Sequence, residues 1–572
     1  MNKKDVIRIL ETIATYLEVK GDNPFKISAY RKAAQALESD QRTLDEIDDP
    51  GSIKGIGKGT AEIITQLKMS GTSTLFEELV RSLPEGLFPL LKLPGLGGKK
   101  VGKLYRELSI CDIETLRLAC EAGKVQKVTG FGKKTEENIL LAIKEMNTRP
   151  DRLALPHILP IATQIERSLQ SMTGIIQFSR AGSLRRMKET VKDLDFIIAT
   201  EDQSHVREQL LAMHSITKVI ASGDTKVSVE MTSEFPISID FRLVKPNEFA
   251  TTLHHFTGSK EHNVKLRQLA KKRREKISEY GVESLETGKV TTFVSEAAFF
   301  HHFGLSFIPP EAREDQGEIE RASDLVLPPY VTNKDMIGDL HMHTTWSDGA
   351  YSIREMAEAA RARGYQYIAI TDHSQYLKVA NGLSVQRLKE QHMQIRELNE
   401  QYDDFTILTG IEMDILPDGT LDYDDEVLEN IDFVIAAIHS SFGQDQKTIM
   451  NRLKEALTNV HVDLIAHPTG RLLGRRDGYD VDVERLIELA RETNTALELN
   501  ANPNRLDLAD KWLKKAEEAD VFIAINTDAH HIKMLDDMSY GTAAARRAML
   551  RPETVINTWP LERLQSYLKR KQ

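Results

Sequence analysis

Two carboxylates set into an apolar strand constrain this chain more than any other feature. In AGSLRRMKETVKDLDFIIAT, residues 181–200, Asp193 and Asp195 enter a run that reads as a β-strand, and strand alternation points both to one face. In PISIDFRLV, residues 236–244, Ile237, Ile239, Phe241 and Leu243 alternate with Ser238, Asp240 and Arg242, so a neighbouring strand offers a third carboxylate while burying its apolar side. Three convergent carboxylates are costly unless a cation lies between them. Two magnesium ions suit them, because hard cations take oxygen ligands and a metal pair clamps the attacking and leaving oxygens of a phosphoryl transfer. Gly182 and Ser183, followed by Arg185 and Arg186, add a close backbone approach, a hydroxyl and two guanidiniums, which suit a triphosphate. Alone, D-x-D is as readily a solvated strand end as a ligand pair. The combination with Gly-Ser before it and I-D-x-R after it is far more specific.

In that order these features resemble the nucleotidyltransferase superfamily. HHFTGSKEHNVKLR, residues 254–267, resembles the nucleotide-binding segment of X-family DNA polymerases, the group that includes polymerase beta. The resemblance implies Asp193, Asp195 and Asp240 as catalytic metal ligands for Mg2+ or Mn2+, with Gly182, Ser183 and Arg186 at the triphosphate. It places Phe256, Thr257 and Gly258 under the nucleotide sugar and Asn263 and Arg267 nearer the base. His255 stands where polymerase beta has a tyrosine, and Lys260 where it has an aspartate, so the likeness leaves sugar discrimination open.

A chain of 572 residues is too long for one core, and two to four domains are expected. The net charge of -11 does not announce a nucleic-acid binder, so DNA contacts must come from local basic patches. One is Lys99, Lys100 and Lys103; another is Lys265, Arg267, Lys271, Lys272, Arg273 and Arg274, although such runs are more often solvated helix faces. Cys111 and Cys120, both in a helical-looking segment, give no disulfide framework. The first 21 residues read as an amphipathic helix and not a signal peptide, and no apolar run is long enough to cross a bilayer, so a cytoplasmic protein is expected.

Up to about Met146 the pattern is helical, and G-x-G opens into a helix three times: KGIGKGTAEII from Lys54, PGLGGKKVGKL from Pro94 and TGFGKKTEENIL from Thr129. A glycine turn at a helix start exposes backbone N–H groups and the positive dipole end, which favour a phosphate. Gly55, Gly57 and Lys58, Gly95, Gly97, Lys99 and Lys100, and Gly130, Gly132, Lys133 and Lys134 are the candidate contacts. These stretches look like helix-hairpin-helix motifs, which grip duplex backbone without reading sequence. NPFKISAYRKAAQAL, residues 23–37, resembles the small gap-binding domain of polymerase beta, implying gap contacts at Lys26, Tyr30 and Lys32. Ile63 stands where that relative carries its lyase lysine, and Lys68 is at best a weak substitute.

From about Met336 seven short apolar runs each end in a polar cluster, with helical patterns between most of them. That repeat argues for a parallel barrel whose active face lies at the carboxyl ends of the strands, here with seven units and therefore distorted. His341, His343, His373, His439, His467 and His530 close strands, as do Glu412 and Asp528, while Asp348 follows the first. Nine nitrogen and oxygen ligands on one rim suit two or three ions of zinc, manganese or iron. The motifs H-x-H, T-D-H, G-x-E, H-S-S, A-H-P and T-D-A-H resemble the PHP phosphoesterase domain, and a PHP domain after an X-family polymerase is the bacterial and archaeal arrangement. That family shows 3'-5' exonuclease activity and, in some members, cleavage at abasic sites.

The expected organisation is multidomain α/β. It comprises a helical gap-binding domain (1–80), a helix-hairpin-helix region (81–148), a nucleotidyltransferase palm with a thumb-like subdomain (149–325), a linker (326–336) and a distorted (β/α)7 PHP barrel (337–572). The expected function is a gap-filling DNA repair polymerase with a PHP nuclease, acting as a monomer on gapped or primer-template DNA with dNTPs and without a membrane. The alternative is a PHP phosphomonoesterase localised to DNA by a polymerase-like module.

Overall fold

The computed structural model describes residues 3–570 except 40–43, 45–46, 85, 92, 94, 147–151, 233–235 and 324–329. Pro94, Pro150, Pro328 and Pro329, which the sequence marks as turn or boundary positions, lie outside the described residues, as does the start of the expected linker. The chain divides into two compact units, 1–150 and 151–572.

The first unit is helical. Helices Lys3–Lys20, Pro24–Ser39 and Lys58–Ser70 bury Leu10, Ile13, Leu17, Tyr30, Leu37 and Ile64 in one core. Helices Gly98–Leu108, Ile113–Glu121 and Lys133–Met146 enclose a second core around Val101, Leu116, Cys120 and Ile139. Tyr16 packs against both, its ring 4.6 Å from Phe88 and 6.4 Å from Phe76. Both cysteines are free; Cys120 lies in a helix, but Cys111 precedes it, because Asp112 caps that helix with a reciprocal side-chain box to Thr115.

The second unit opens with the helix Leu155–Ser171, which packs on a sheet of β1 (Gln177–Arg180), β2 (Asp193–Ala199), β3 (Ile216–Ser222), β4 (Lys226–Thr232) and β5 (Pro236–Val244), in the order β1-β2-β5-β4-β3. Pro156 and Pro160, read as boundary markers, belong to that helix. Pro156 sits in its first turn, where a missing N–H costs nothing. Strands β2 and β5 pair in parallel, and the other pairings are antiparallel. Leu194, Phe196 and Ile198 face the main core with Ile237, Ile239 and Phe241. On the other face Ile197 and Ala199 lie under helix Phe249–Thr257, so β2 is covered on both sides except at its start, where the aspartates emerge.

Helices Lys260–Lys272 and Glu296–His302, with a small antiparallel sheet over residues 275–291, form the thumb-like part around Leu266, Phe299, Phe300 and Ile308. The basic stretch read as one helix ends at Lys272, and Glu275–Ile277 is a strand.

The remainder is a parallel sheet of β6 (Gly338–Asp339), β7 (Tyr367–Ile370), β8 (Thr406–Asp414), β9 (Phe433–Ala437), β10 (Leu464–Ile465), β11 (Ala496–Asn500) and β12 (Ile523–Asn526), with neighbours in chain order. A parallel bridge between Met342 and Ala529, just past β6 and β12, joins the two edges, so the sheet curls into a seven-stranded barrel among the described residues. Alternation assigns the two faces. Tyr367, Ala369, Phe433 and Ile435 cluster with Trp559 and Tyr567 from the chain's last segment, whereas Ile368, Ile370 and Val434 cluster with Ile353 and Met356 of helix Ile353–Arg361. No described helix is long and apolar enough to cross a membrane.

Two candidate metal centres and a candidate nucleic-acid interface

The parallel register of β2 and β5 sets Asp195 opposite Asp240, and Asp193 opposite Ser238. Burial, then the charges of Asp193 and Asp240, push the Asp195 carboxyl up to about 7. Ser228 donates to Asp240 Oδ1 at 2.6 Å and Lys226 Nζ lies 2.7 Å from Oδ2. Gly182 packs on this site with φ +61°, and a Cβ there would lie 2.3 Å from Asp195 Oδ2, so glycine alone lets the backbone come so close. An acidic face with a carboxyl at the edge of ionising and a glycine cradle against it fits divalent cations.

Beside the carboxylates the two expected phosphate-binding arginines are already engaged. Arg185 holds Glu296 through two nitrogens, at 3.0 and 2.6 Å, and donates to Thr257 Oγ1 at 2.7 Å. The fully buried Arg313 donates to the same carboxylate at 2.5 Å. Arg186 meets Glu314 at 2.7 Å and the Thr257 carbonyl at 2.8 Å. The Ser183 hydroxyl makes no hydrogen bond among the described residues. Phe256 lies under the Arg242 guanidinium, 4.5 Å from its ring centre. Gly258 abuts Asn263, which donates to the His255 carbonyl at 2.7 Å, and Arg267 donates to the Asn263 carbonyl at 3.1 Å. Gly182, Arg186, Thr257 and Gly258 therefore meet at one palm–thumb junction. The basic patch that follows is partly neutralised, since Lys265 pairs with Asp315 and Glu320, Arg273 with Glu275 and Arg274 with Glu286.

The barrel rim gathers all nine expected positions. Glu412, at the end of β8, is the hub: its Oε2 lies 2.9 Å from His373 Nδ1 and 3.4 Å from His341 Nε2, and its Oε1 lies 2.9 Å from His467 and 3.2 Å from His439. Asp528 Oδ1 sits 3.2 Å from His343 and 3.5 Å from His341. Asp348 Oδ1 sits 3.4 Å from His530 and 3.7 Å from His373. Three sets have all their ligand atoms within 4.8 Å of one another: His343, Asp348, His373 and His530; His341, His343 and Asp528; His373, Glu412 and His439. The palm carboxylates form no such tight set.

The electrostatics of this rim are those of a ligand cage. Burial opposes charge on His341, but Glu498, Glu412 and Asp528 outweigh it and hold that imidazole well above its usual range. Two residues on, burial with His530 and His373 pushes His343 down to about 3. Among the described residues, buried His343 Nδ1, His373 Nδ1, His467 Nδ1 and Glu412 Oε2 meet no partner in hydrogen-bonding geometry, despite the short His373–Glu412 approach. Imidazole and carboxylate lone pairs left facing one another fit cations, which satisfy them together.

Sequence reasoning missed the residues behind the rim. Glu498 Oε1 lies 2.7 Å from His341 Nδ1 and its Oε2 accepts the His467 backbone N–H at 2.7 Å, while Asp414 lies 3.2 Å from His439 Nδ1. Asn500 donates to Asp528 Oδ2 at 3.0 Å. Such carboxylates fix imidazole tautomer and orientation. Their signal was present: Glu498 interrupts the apolar strand ALELN, where an unpaired carboxylate would be too costly.

In the helical unit Gly55, Gly95 and Gly130 all have positive φ, from +79 to +108°, and Gly57, Gly97 and Gly132 each lead into a helix start with nothing within 4 Å of an added Cβ. Lys58, Lys99 and Lys133 lie in the first turns, whereas Lys100 donates to the Gly95 carbonyl at 2.9 Å. Lys26 and Lys32 are exposed, but Tyr30 is 6% exposed and packs in the core. Ile63 is buried, and Lys68 donates to the Ile47 carbonyl at 3.1 Å.

Family models match in the same places: a helix-hairpin-helix domain over residues 1–73, a SAM-like helix-hairpin-helix tandem over 88–145, the DNA polymerase beta thumb over 252–314 and the PHP domain over 339–502. The chain is 60% identical over 570 residues, covering all of both proteins, to the DNA polymerase/3'-5' exonuclease PolX of Bacillus subtilis (strain 168). The chain belongs to the X-family DNA polymerases that carry a C-terminal PHP domain. Part of the chain has further relatives. A probable phosphatase of Thermoanaerobacter sp. (strain X514) is 29% identical over 248 residues, 41% of this chain and 96% of that protein, and one of Acetivibrio thermocellus is 28% identical over 41% and 95%. Polymerase and PHP exonuclease chemistry both call for divalent metal ions, in keeping with the two donor sets described above.

Proposed function

We propose that this chain is a DNA repair polymerase that fills short gaps, with a 3'-5' exonuclease and an abasic-site cleaving activity in its PHP barrel. The observation that carries the reading is the coexistence of two donor groups, the carboxylates Asp193, Asp195 and Asp240 on two paired palm strands and the nine-residue rim of the barrel, in a chain related over its whole length to a polymerase/exonuclease. The five-part division of the chain, with its palm, thumb, linker and barrel, belongs to the same reading. Mg2+ or Mn2+ would be held by Asp193, Asp195 and Asp240. Two or three Mn2+, Zn2+ or Fe ions would be held by His341, His343, Asp348, His373, Glu412, His439, His467, Asp528 and His530. When bound, such ions supply a nucleophilic water near neutral pH in the barrel and offset charge on the attacking and leaving oxygens in the palm.

The chain's own residues do the rest. The hairpin glycines with Lys58, Lys99 and Lys133 hold duplex phosphates, and Lys26 and Lys32 hold the gap's 5' side. Gly182 and Ser183 present backbone and hydroxyl to the triphosphate, and Arg186 exchanges Glu314 for it. Phe256, Thr257 and Gly258 form the floor under the sugar, with Asn263 and Arg267 beside the base. In the barrel Glu498 and Asp414 keep His341 and His439 turned inward. Ile63 leaves no lyase nucleophile at that position. The chain acts as a cytoplasmic monomer.

A second reading, a small-molecule phosphomonoesterase in the barrel, draws on the probable phosphatases that align with it over nearly their whole length. A single-nucleotide gap with a 5'-labelled primer separates the readings, using manganese with and without the matching dNTP. Wild type should lengthen the primer with nucleotide and shorten it without. Asp193→Ala should lose lengthening and keep shortening, and His341→Ala the converse. Joint loss in either variant would overturn the two-site reading, and far faster turnover of a phosphomonoester than of DNA would favour the phosphatase.

A further inference from the structure

The loop that leaves β11 brings a cation to a place built for cations. Arg505 Nε lies 3.6 Å from Asp528 Oδ2, on the side of that carboxylate turned away from His341 and His343. Its side chain is 22% exposed and donates no hydrogen bond among the described residues. Neighbouring arginines have partners: Arg476 donates twice to the Gly470 carbonyl and lies over Phe442, and Arg471 donates to four acceptor atoms. A guanidinium that reaches solvent with its five donors unclaimed by the protein is open to an arriving anion, which would also offset its repulsion by metal ions held beside it.

The placement of Arg505 is enforced by the palm. Arg471 donates to the Arg505 carbonyl at 3.1 Å and to the Leu506 carbonyl, and its other contacts reach Glu189 beyond the palm's phosphate loop, at 3.1 and 2.7 Å. Leu506, with φ +43°, is 1% exposed and belongs to the palm's own hydrophobic cluster. The far end of the loop is tied by Asn500 N–H to the Asp507 carbonyl and by the Thr469 N–H to the Asp507 carboxylate.

We infer that Arg505 binds the phosphate of the DNA strand end cleaved in the barrel, and that Arg471, braced on Glu189, is the positioning residue that aims it. The inference rests on reading the barrel as a phosphodiesterase. A small diester, thymidine 5'-(p-nitrophenyl phosphate), tests it in the full-length protein with manganese, because a substrate this small needs no grip from the hairpins. Arg505→Gln should raise KM about 10- to 100-fold, the span of one charge-assisted phosphate contact, with kcat within about threefold. Thymidine 5'-monophosphate binding by calorimetry should weaken by the same factor, and manganese content should stay at the wild-type level. Arg505→Lys should recover part of the loss, and Glu189→Gln should reproduce part of it with Arg505 intact. An unchanged KM in Arg505→Gln overturns the inference. So does a loss of manganese with a fall in kcat, which would make Arg505 a support for Asp528 alone. Wild type inactive on the diester would reject the barrel reading itself, and the inference with it.

Discussion

Replacing Gly182 with alanine asks whether polymerase chemistry here depends on one close backbone approach. The position has φ +61°, and the new Cβ would lie 2.3 Å from Asp195 Oδ2. A left-handed backbone costs an L-residue about 1–2 kcal/mol. To regain ordinary van der Waals separation the carboxylate must retreat by about 1 Å. The two consequences differ in size. Moving the end of a side chain costs folding little, but about 1 Å of misplacement in a reacting constellation costs about 100-fold in rate, or about 2.7 kcal/mol of barrier. Single-nucleotide extension on gapped DNA, measured at saturating dNTP, should therefore fall about 100-fold. Urea unfolding should show a loss of about 1–2 kcal/mol, and 3'-5' hydrolysis should continue at the wild-type rate. Extension at the wild-type rate would refute the reasoning, as would equal loss of both activities in a folded protein.

The tie between palm and thumb should be sensitive to acid. Burial disfavours charge on Glu296, but Arg313 and Arg185 outweigh it and hold its carboxyl below the ordinary value of 4.5. A depressed carboxyl contributes stability that is fully present above that value and is lost as pH falls through the lower folded one. Glu296→Gln, which leaves Arg313 buried without its counter-charge, should lose about 3–5 kcal/mol near neutral pH by urea unfolding. The gap from wild type should close as pH falls through the lowered folded value, and a gap of constant size across the acid range would count against the tie. Metal removal gives an independent check: manganese at about 100 times its Kd should stabilise the chelated protein by about 2.7 kcal/mol, seen as a raised melting transition that His341→Ala lacks. Identical melting of chelated and manganese-loaded wild type would argue against a metal cage.

Much of this protein is legible in one dimension because strand periodicity is local. The alternation of PISIDFRLV fixed which face Asp240 takes, and the structure reproduces it residue by residue. The seven runs with polar clusters at their ends, five of them holding histidine, foretold a barrel with a chemical rim, since a strand's end is the one place where a buried segment can release a polar group to a shared surface. Glycine turns were equally local: Gly55, Gly95 and Gly130 need positive φ whatever surrounds them.

What the sequence withheld depends on partners distant along the chain. Nothing near Arg185 or Arg186 says that Glu296 and Glu314 engage them, because those carboxylates arrive from more than a hundred residues away. Tyr30 reads as a contact and is core, since burial is decided by helices packed from elsewhere. Glu498, Asp414 and Arg505 gain meaning only when the barrel curls and sets them behind His341, His439 and Asp528. Residue types and their periods determined the kinds of chemistry this chain carries. Tertiary packing decided which charges are neutralised, which are left open and which domain holds another's loop, because Coulomb and hydrogen-bond energies depend on distance in space and not along the chain.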